Sequence, residues 1–154
     1  MENIYNKTTF SRKQTKEIGA FLCQKILNNP NSNKENNIII LEGRIGSGKT
    51  VFVKGIAKEL GIKEPINSPT FLLLKTYSSK TRKLHHLDLY RFFNVNQKKE
   101  KIIPEIDELL ENIEKEDIVV IETSEDMSFF SFWRFYVKIH VHNIKKRFIS
   151  INQK

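Results

Sequence analysis

The sequence predicts an α/β domain of three layers, in which helices cover a mixed, partly antiparallel central sheet. Three observations carry that prediction. Ile38 to Leu41 and Ile118 to Ile121 are runs of consecutive apolar residues, nearly all β-branched, as central strands covered on both faces require. Amphipathic helical stretches stand on either side of the first run. Between that run and the second helix lie Gly43, Arg44, Ile45, Gly46, Ser47, Gly48, Lys49 and Thr50, the pattern G-x-x-x-x-G-K-T in the strand-to-helix setting it needs. The expected architecture is therefore P-loop NTPase-like.

In chain order, Ser11 opens the first helix with Gln14 three residues on, a capping-box spacing that satisfies two otherwise orphaned N–H groups. Ile18, Phe21, Leu22 and Ile26 recur at helical spacing, so their face is expected to pack on the sheet. Asn28 to Asn37, with Pro30 and Ser32, reads as a solvated connector. After the first central strand and the glycine-rich loop, a helix turns Phe52, Val53, Ile56, Ala57 and Leu60 inward and stops at Gly61. Asn67, Ser68, Pro69 and Thr70 form a polar turn. Phe71 to Tyr77 and Leu84 to Leu89 have strand composition and are joined through Ser78 to Arg82 as an antiparallel hairpin. Gln97 to Lys101 is a short basic linker. Pro104 to Ile113 follows as a helix burying Ile106, Leu109, Leu110 and Ile113, with Pro104 in the first turn, where a proline is tolerated. Ile118 to Ile121 is expected beside Ile38 to Leu41, and Phe135 to Val141 with Arg147 to Ile151 make a closing hairpin around Asn143.

The glycine-rich loop is shaped to hold phosphate. Glycines let successive N–H groups converge on one anion, and the helix behind them aims its positive dipole end at the same point. Lys49 reaches the terminal phosphates as a point charge, and the Thr50 hydroxyl takes one position on a phosphate-bound Mg²⁺.

Composition bounds the rest. The 154 residues fit one domain, 1–154, which buries about two-thirds of its extended surface. Hydrophobic residues at 39% and charged residues at 29% are the balance of a water-soluble globular protein, and no apolar run approaches the ~20 residues of a membrane span. Met1 to Phe10 holds no apolar segment of signal-peptide type, so the expected location is cytoplasmic, with no membrane partner. Cys23 is the only cysteine and reads as a small core residue. The net charge of +8 is accounted for about as well by a general lysine-rich composition as by an RNA-binding face. His85 and His86 lie in a strand without a metal-ligand partner set, which argues against zinc.

Ligands on open α/β sheets bind at the carboxyl ends of strands. Asp88 and Glu122 each close an apolar run and so emerge there, where a P-loop protein keeps the acids that hold Mg²⁺ directly or through water. Capping of the next segment or pairing with Arg91 is the competing reading for each.

Taken together, Gly43 to Thr50, Ser68-Pro69-Thr70-Phe71, His86-Leu87-Asp88-Leu89-Tyr90-Arg91 and Glu122, in this order, resemble the TsaE (YjeE) family of small P-loop ATPases. Ser11 and Thr15 stand where that family has a serine and a threonine ahead of its first helix face. The resemblance is strong from Ser11 to Glu122 and extends to the last thirty or so residues only in strand pattern. It implies ATP and Mg²⁺ as cofactors and a role in making threonylcarbamoyladenosine in tRNA, with TsaD and TsaB as partners. It implies nucleotide contacts from Gly43, Arg44, Ile45, Gly46, Ser47, Gly48, Lys49, Thr50, Val51, Thr15, Ser68 and Thr70, the last two in a segment that senses the γ-phosphate. Thr50, Glu122 and Asp88 become the metal set, and Asp88 with Lys49 the catalytic pair. Hydrolysis by the chain alone is expected to be weak, with Arg91 as the internal candidate for an extra positive charge.

Two departures from the family stand out. Arg44 replaces the usual Asp, adding a positive charge beside the phosphates, and Thr123 replaces the tryptophan that usually follows the glutamate. Phe129, Phe130, Phe132 and Trp133 further on read mostly as core or hairpin packing. A small P-loop kinase and a nucleotide-gated binding module are the alternative function classes.

Overall fold

The computed structural model describes residues 1–29, 37–69, 74–90 and 102–154. In chain order its elements are β1 (Glu2–Thr9), α1 (Arg12–Asn28), β2 (Asn37–Glu42), α2 (Lys49–Glu59), β3 (Leu74–Ser78), β4 (Lys83–Asp88), α3 (Ile102–Glu111), β5 (Ile118–Thr123), β6 (Phe135–Val141) and β7 (Arg147–Gln153). Seven strands form one sheet in the order β1-β7-β6-β2-β5-β4-β3. The four central strands, β6, β2, β5 and β4, run parallel; β3 pairs antiparallel with β4 at one edge, and at the other β7 pairs antiparallel with both β6 and β1. This is the mixed sheet of a P-loop NTPase-like α/β fold.

Strand alternation divides the core into two layers. Ile39 and Leu41 of β2 with Ile118 and Val120 of β5 meet Ile18, Leu22, Cys23 and Ile26 of α1 and Phe52, Val53, Ile56 and Ala57 of α2. On the other face Ile38, Ile40, Val119 and Ile121 meet Ile106 of α3, Met127 and Trp133. β2 and β5 are almost wholly buried because both faces are covered, which is why they read as unbroken apolar runs.

The two helices beside the loop lock together through glycines. A Cβ at Gly19 would lie 2.1 Å from the Phe52 carbonyl oxygen, and one at Gly55 would lie 2.0 Å from that of Lys16. Backbone meets backbone there, so the start of α1 is held tightly beside the start of α2.

Several elements differ from expectation. β1 has no apolar run because it is an edge strand with much of its surface exposed, and it pairs with β7 along its length. Phe21, expected on the buried face of α1, is 42% exposed and packs its ring 5.3 Å from that of Tyr5 on β1. At the helix start the Ser11 hydroxyl accepts from the Gln14 N–H, but Gln14 reaches back to the N–H of Phe10 rather than that of Ser11. α3 begins two residues before Pro104, which still lies in the first turn. β5 runs on through Glu122 and Thr123. The β6–β7 turn does centre on Asn143, whose side-chain oxygen accepts from the N–H groups of Lys145 and Lys146. Most of the Asn28 to Asn37 connector, Thr70, Phe71, Arg91 and the Gln97 to Lys101 linker lie outside the described residues. No helix among the described residues is long and apolar enough to cross a membrane.

Candidate functional site

The loop between β2 and α2 is held from below. Gly43 donates its N–H to the carbonyl of Thr123 at the end of β5, and a Cβ on Gly43 would lie 2.5 Å from the buried Ser47 Oγ. Gly46 and Gly48 adopt φ of 75° and 106°, a left-handed backbone that side chains disfavour. Gly48 is the N-cap of α2 and supplies no side-chain cap. The first N–H groups of α2 are thus left for a ligand, at the positive end of its dipole.

A cleft of about 520 Å³ opens over this loop, and Ile45, Gly46, Gly48, Lys49, Thr50, Val51, Thr15, Ser68, Asp88 and Glu122 all contribute to its wall. Gly43 and Ser47 lie buried beneath the loop, and the Arg44 side chain points into solvent. Lys49 donates to the loop's own carbonyls, 2.6 Å to Gly43 and 3.1 Å to Arg44, and so braces the turn. Burial pulls its ammonium pKa below the ordinary value of 10.5, while Glu122 and Asp88 pull the other way.

The two carboxylates come together as their strands dictate. Asp88 and Glu122 are register partners on β4 and β5, so they share a sheet face. Thr50 Oγ1 lies 3.5 Å from Glu122 Oε1. Asp88 accepts from the Ser68 hydroxyl at 3.0 Å and from the N–H of Tyr90 at 2.9 Å, which ties the polar segment after α2 to the end of β4. A hydroxyl and a carboxylate this close suit Mg²⁺, which takes few protein ligands and completes its shell with phosphate oxygens and water. That donor set fits the ion even though no cluster of three His, Cys, Asp or Glu is found among the described residues.

Thr15 reaches the cleft wall, but it is buried and its hydroxyl is engaged with Thr9 Oγ1 and the Ser11 carbonyl. Thr70 and Arg91 fall outside the described residues. Thr123 is buried, and its hydroxyl closes a small turn with Glu125. Trp133 is buried on the sheet face opposite the loop, with Phe130 and Phe132 packed partly buried around that core, whereas Phe129 is 64% exposed.

Two residues that line the cleft, and one buried behind it, escape sequence reasoning. Arg147, at the start of β7, lines the cleft and donates its Nε to the Ser47 carbonyl at 2.7 Å; nothing local marks a residue so distant in sequence. Arg12 also lines the cleft, and its place just after the Ser11 N-cap was the available signal. His86 is fully buried with its Nε2 2.8 Å from Glu122 Oε1. The period-two spacing from His86 to Asp88 already placed both on one face. His85, on the opposite face, instead bridges Thr76 and Asp117 at 2.9 Å each.

Comparison with known proteins places the chain in a family. The family model described as threonylcarbamoyl adenosine biosynthesis protein TsaE matches residues 7–149. The tRNA threonylcarbamoyladenosine biosynthesis protein TsaE of Bacillus subtilis (strain 168) is 47% identical over 58 residues, 38% of this chain and 37% of that protein. The protein of the same name from Nostoc sp. is 53% identical over 55 residues, 36% and 34% of the two chains. The one from Mycobacterium bovis is 34% identical over 96 residues, 60% and 56%. Each alignment spans less than two thirds of the relative's own length. Among solved structures, Bacillus subtilis YdiB superposes with a TM-score of 0.68 over 99% of this chain and 88% of that one, at 21% identity, a likeness of fold. Because the family match runs from β1 into β7 and takes in the loop, both carboxylates and the sheet that carries them, the chain belongs to the TsaE family.

Proposed function

We propose that the protein is a Mg²⁺-dependent ATPase that acts as one domain in the cytoplasm. It serves the assembly that makes N6-threonylcarbamoyladenosine in tRNA, as a nucleotide-driven switch on the TsaD–TsaB pair. One observation carries the reading: Lys49, Thr50, Asp88 and Glu122, drawn from three separate elements, line a single cleft above an uncapped helix N-terminus.

In this reading the N–H groups of residues 46 to 50 cradle the phosphates, and Lys49 leaves the Gly43 and Arg44 carbonyls to pair with the terminal ones. Mg²⁺, when bound through Thr50 and Glu122, neutralises phosphate charge. Asp88 exchanges its bond with Ser68 for contact with the attacking water and orients it, because phosphoryl transfer needs in-line positioning more than covalent help. The release of Ser68 couples the nucleotide state to the segment that leads through Thr70 into β3. Arg147 and Arg12 add positive charge at the rim, and the excess of basic residues suits a further contact with tRNA.

The test is ATP hydrolysis with and without Mg²⁺, by the protein alone and with TsaD and TsaB added. Slow Mg²⁺-dependent turnover that rises with the pair is the expected result. Turnover that responds instead to a small phosphoryl acceptor would make the protein a kinase, and indifference to TsaD and TsaB would remove the switch.

A further inference from the structure

Glu122 is gripped from a side the cleft does not use. His86 is 0% exposed, its Nε2 lies 2.8 Å from Glu122 Oε1, and its Nδ1 has no hydrogen-bond partner among the described residues. An ionised carboxylate offers only acceptors, so Nε2 must carry the hydrogen between them. The geometry therefore places a hydrogen on Nε2, directed at Glu122 Oε1. Glu122 Oε1 is then held by His86 with Thr50 Oγ1 nearby, while Oε2 takes no hydrogen bond from the described residues. β4 and β5 are already laddered from Leu84–Ile118 to Asp88–Glu122, so the strands do not need this bond in order to pair.

We propose that His86 is a positioning residue for Glu122: its Nε2–H pins one carboxylate oxygen, fixing the side chain so that the other is presented to a divalent cation at the phosphate cleft. This rests on the reading of Glu122 as a cation ligand. Groups that orient a ligand from behind act on metal affinity and much less on the rest of the site.

The probe is Mn²⁺, titrated by calorimetry or by its paramagnetic resonance signal onto protein saturated with ADP. ADP binding in excess chelator is measured beside it. His86→Leu is expected to weaken Mn²⁺ binding about 10- to 100-fold while metal-free ADP affinity moves far less. His86→Gln, whose amide nitrogen reaches the same oxygen, is expected to recover most of the loss, a rescue that a merely space-filling role would not give. Full Mn²⁺ affinity in His86→Leu, with a loss in Glu122→Ala, overturns the role of His86 and leaves Glu122 a ligand. Full affinity in Glu122→Ala overturns both. If a melt without metal shows His86→Leu unfolded, His86→Asn decides: its amide is too short to reach Glu122, so undiminished Mn²⁺ affinity there overturns the proposal.

Discussion

Asp88 and Glu122 stand directly opposite each other at the ends of parallel strands β4 and β5, on the sheet face that carries α2. Register partners on neighbouring strands sit about 5 Å apart at the backbone. Two carboxylates so placed repel unless a positive charge lies between or beside them. The half-buried Lys49 supplies part of that charge, since both acids favour its ammonium. The pair also differs in setting: Glu122 is buried against His86, and Asp88 is less buried and bonded to Ser68.

The first prediction follows from that division. Asp88→Asn should reduce single-turnover ATP hydrolysis by about 100-fold or more, the scale of a positioned proton acceptor, and change ADP affinity far less. Without nucleotide its melting temperature should not fall, because one of two like charges is removed. Hydrolysis at the wild-type rate would take Asp88 out of the chemistry.

Lys49→Met should abolish ATP binding in a fluorescence titration, since it removes the charge at the cleft and the brace on the Gly43 and Arg44 carbonyls. Burial already opposes the charged form of this side chain. The same cause sets a pH dependence. With the folded pKa below the ordinary 10.5, the unfolded chain holds more protons between the two values, so this group adds stability as pH rises through that window. Phosphate favours the ammonium, so ADP binding there should take up protons and weaken with rising pH. Calorimetry in two buffers of different ionisation enthalpy measures the uptake directly.

Arg147→Ala removes a hydrogen bond from a charged donor to the Ser47 carbonyl and should cost about 2 kcal/mol of stability in urea unfolding. ADP affinity should fall as well, since the loop loses its clamp. Arg147→Lys should not restore either quantity, because an ammonium cannot reproduce the directed Nε–H.

Gly55→Ala should destabilise the fold by about 3 kcal/mol, at the upper end for overpacking. The new Cβ would lie 2.0 Å from a backbone oxygen rather than from a side chain that could turn away. The effect is read in urea unfolding, and a near-neutral result would mean that α1 and α2 can separate freely.

Cys23 should be inert to thiol reagents until the protein unfolds. It is fully buried, and burial pushes its thiol up to about 12, so almost no thiolate exists at neutral pH. Labelling at a rate independent of denaturant would contradict the packing of α1.

The legible parts of the molecule were those whose chemistry is local. Ile38 to Leu41 and Ile118 to Ile121 announce buried strands, and the structure places them side by side and parallel. The loop from Gly43 to Thr50 carries its conformation in its glycines. β1 was illegible because an edge strand needs no apolar run, and Phe21 was misplaced because helical spacing cannot foresee a tyrosine from another strand offering it cover.

By itself the sequence determined the phosphate loop, the central strands and the presence of acids at strand ends, because each depends on the conformational or hydrophobic preferences of neighbouring residues. Tertiary structure alone decided that Glu122 is held by His86, that Asp88 bonds Ser68, and that Arg147 clamps Ser47 from 100 residues away. Those contacts are set by the order and register of strands in the sheet. That arrangement emerges only when distant segments share one core, and no local pattern of side chains encodes it.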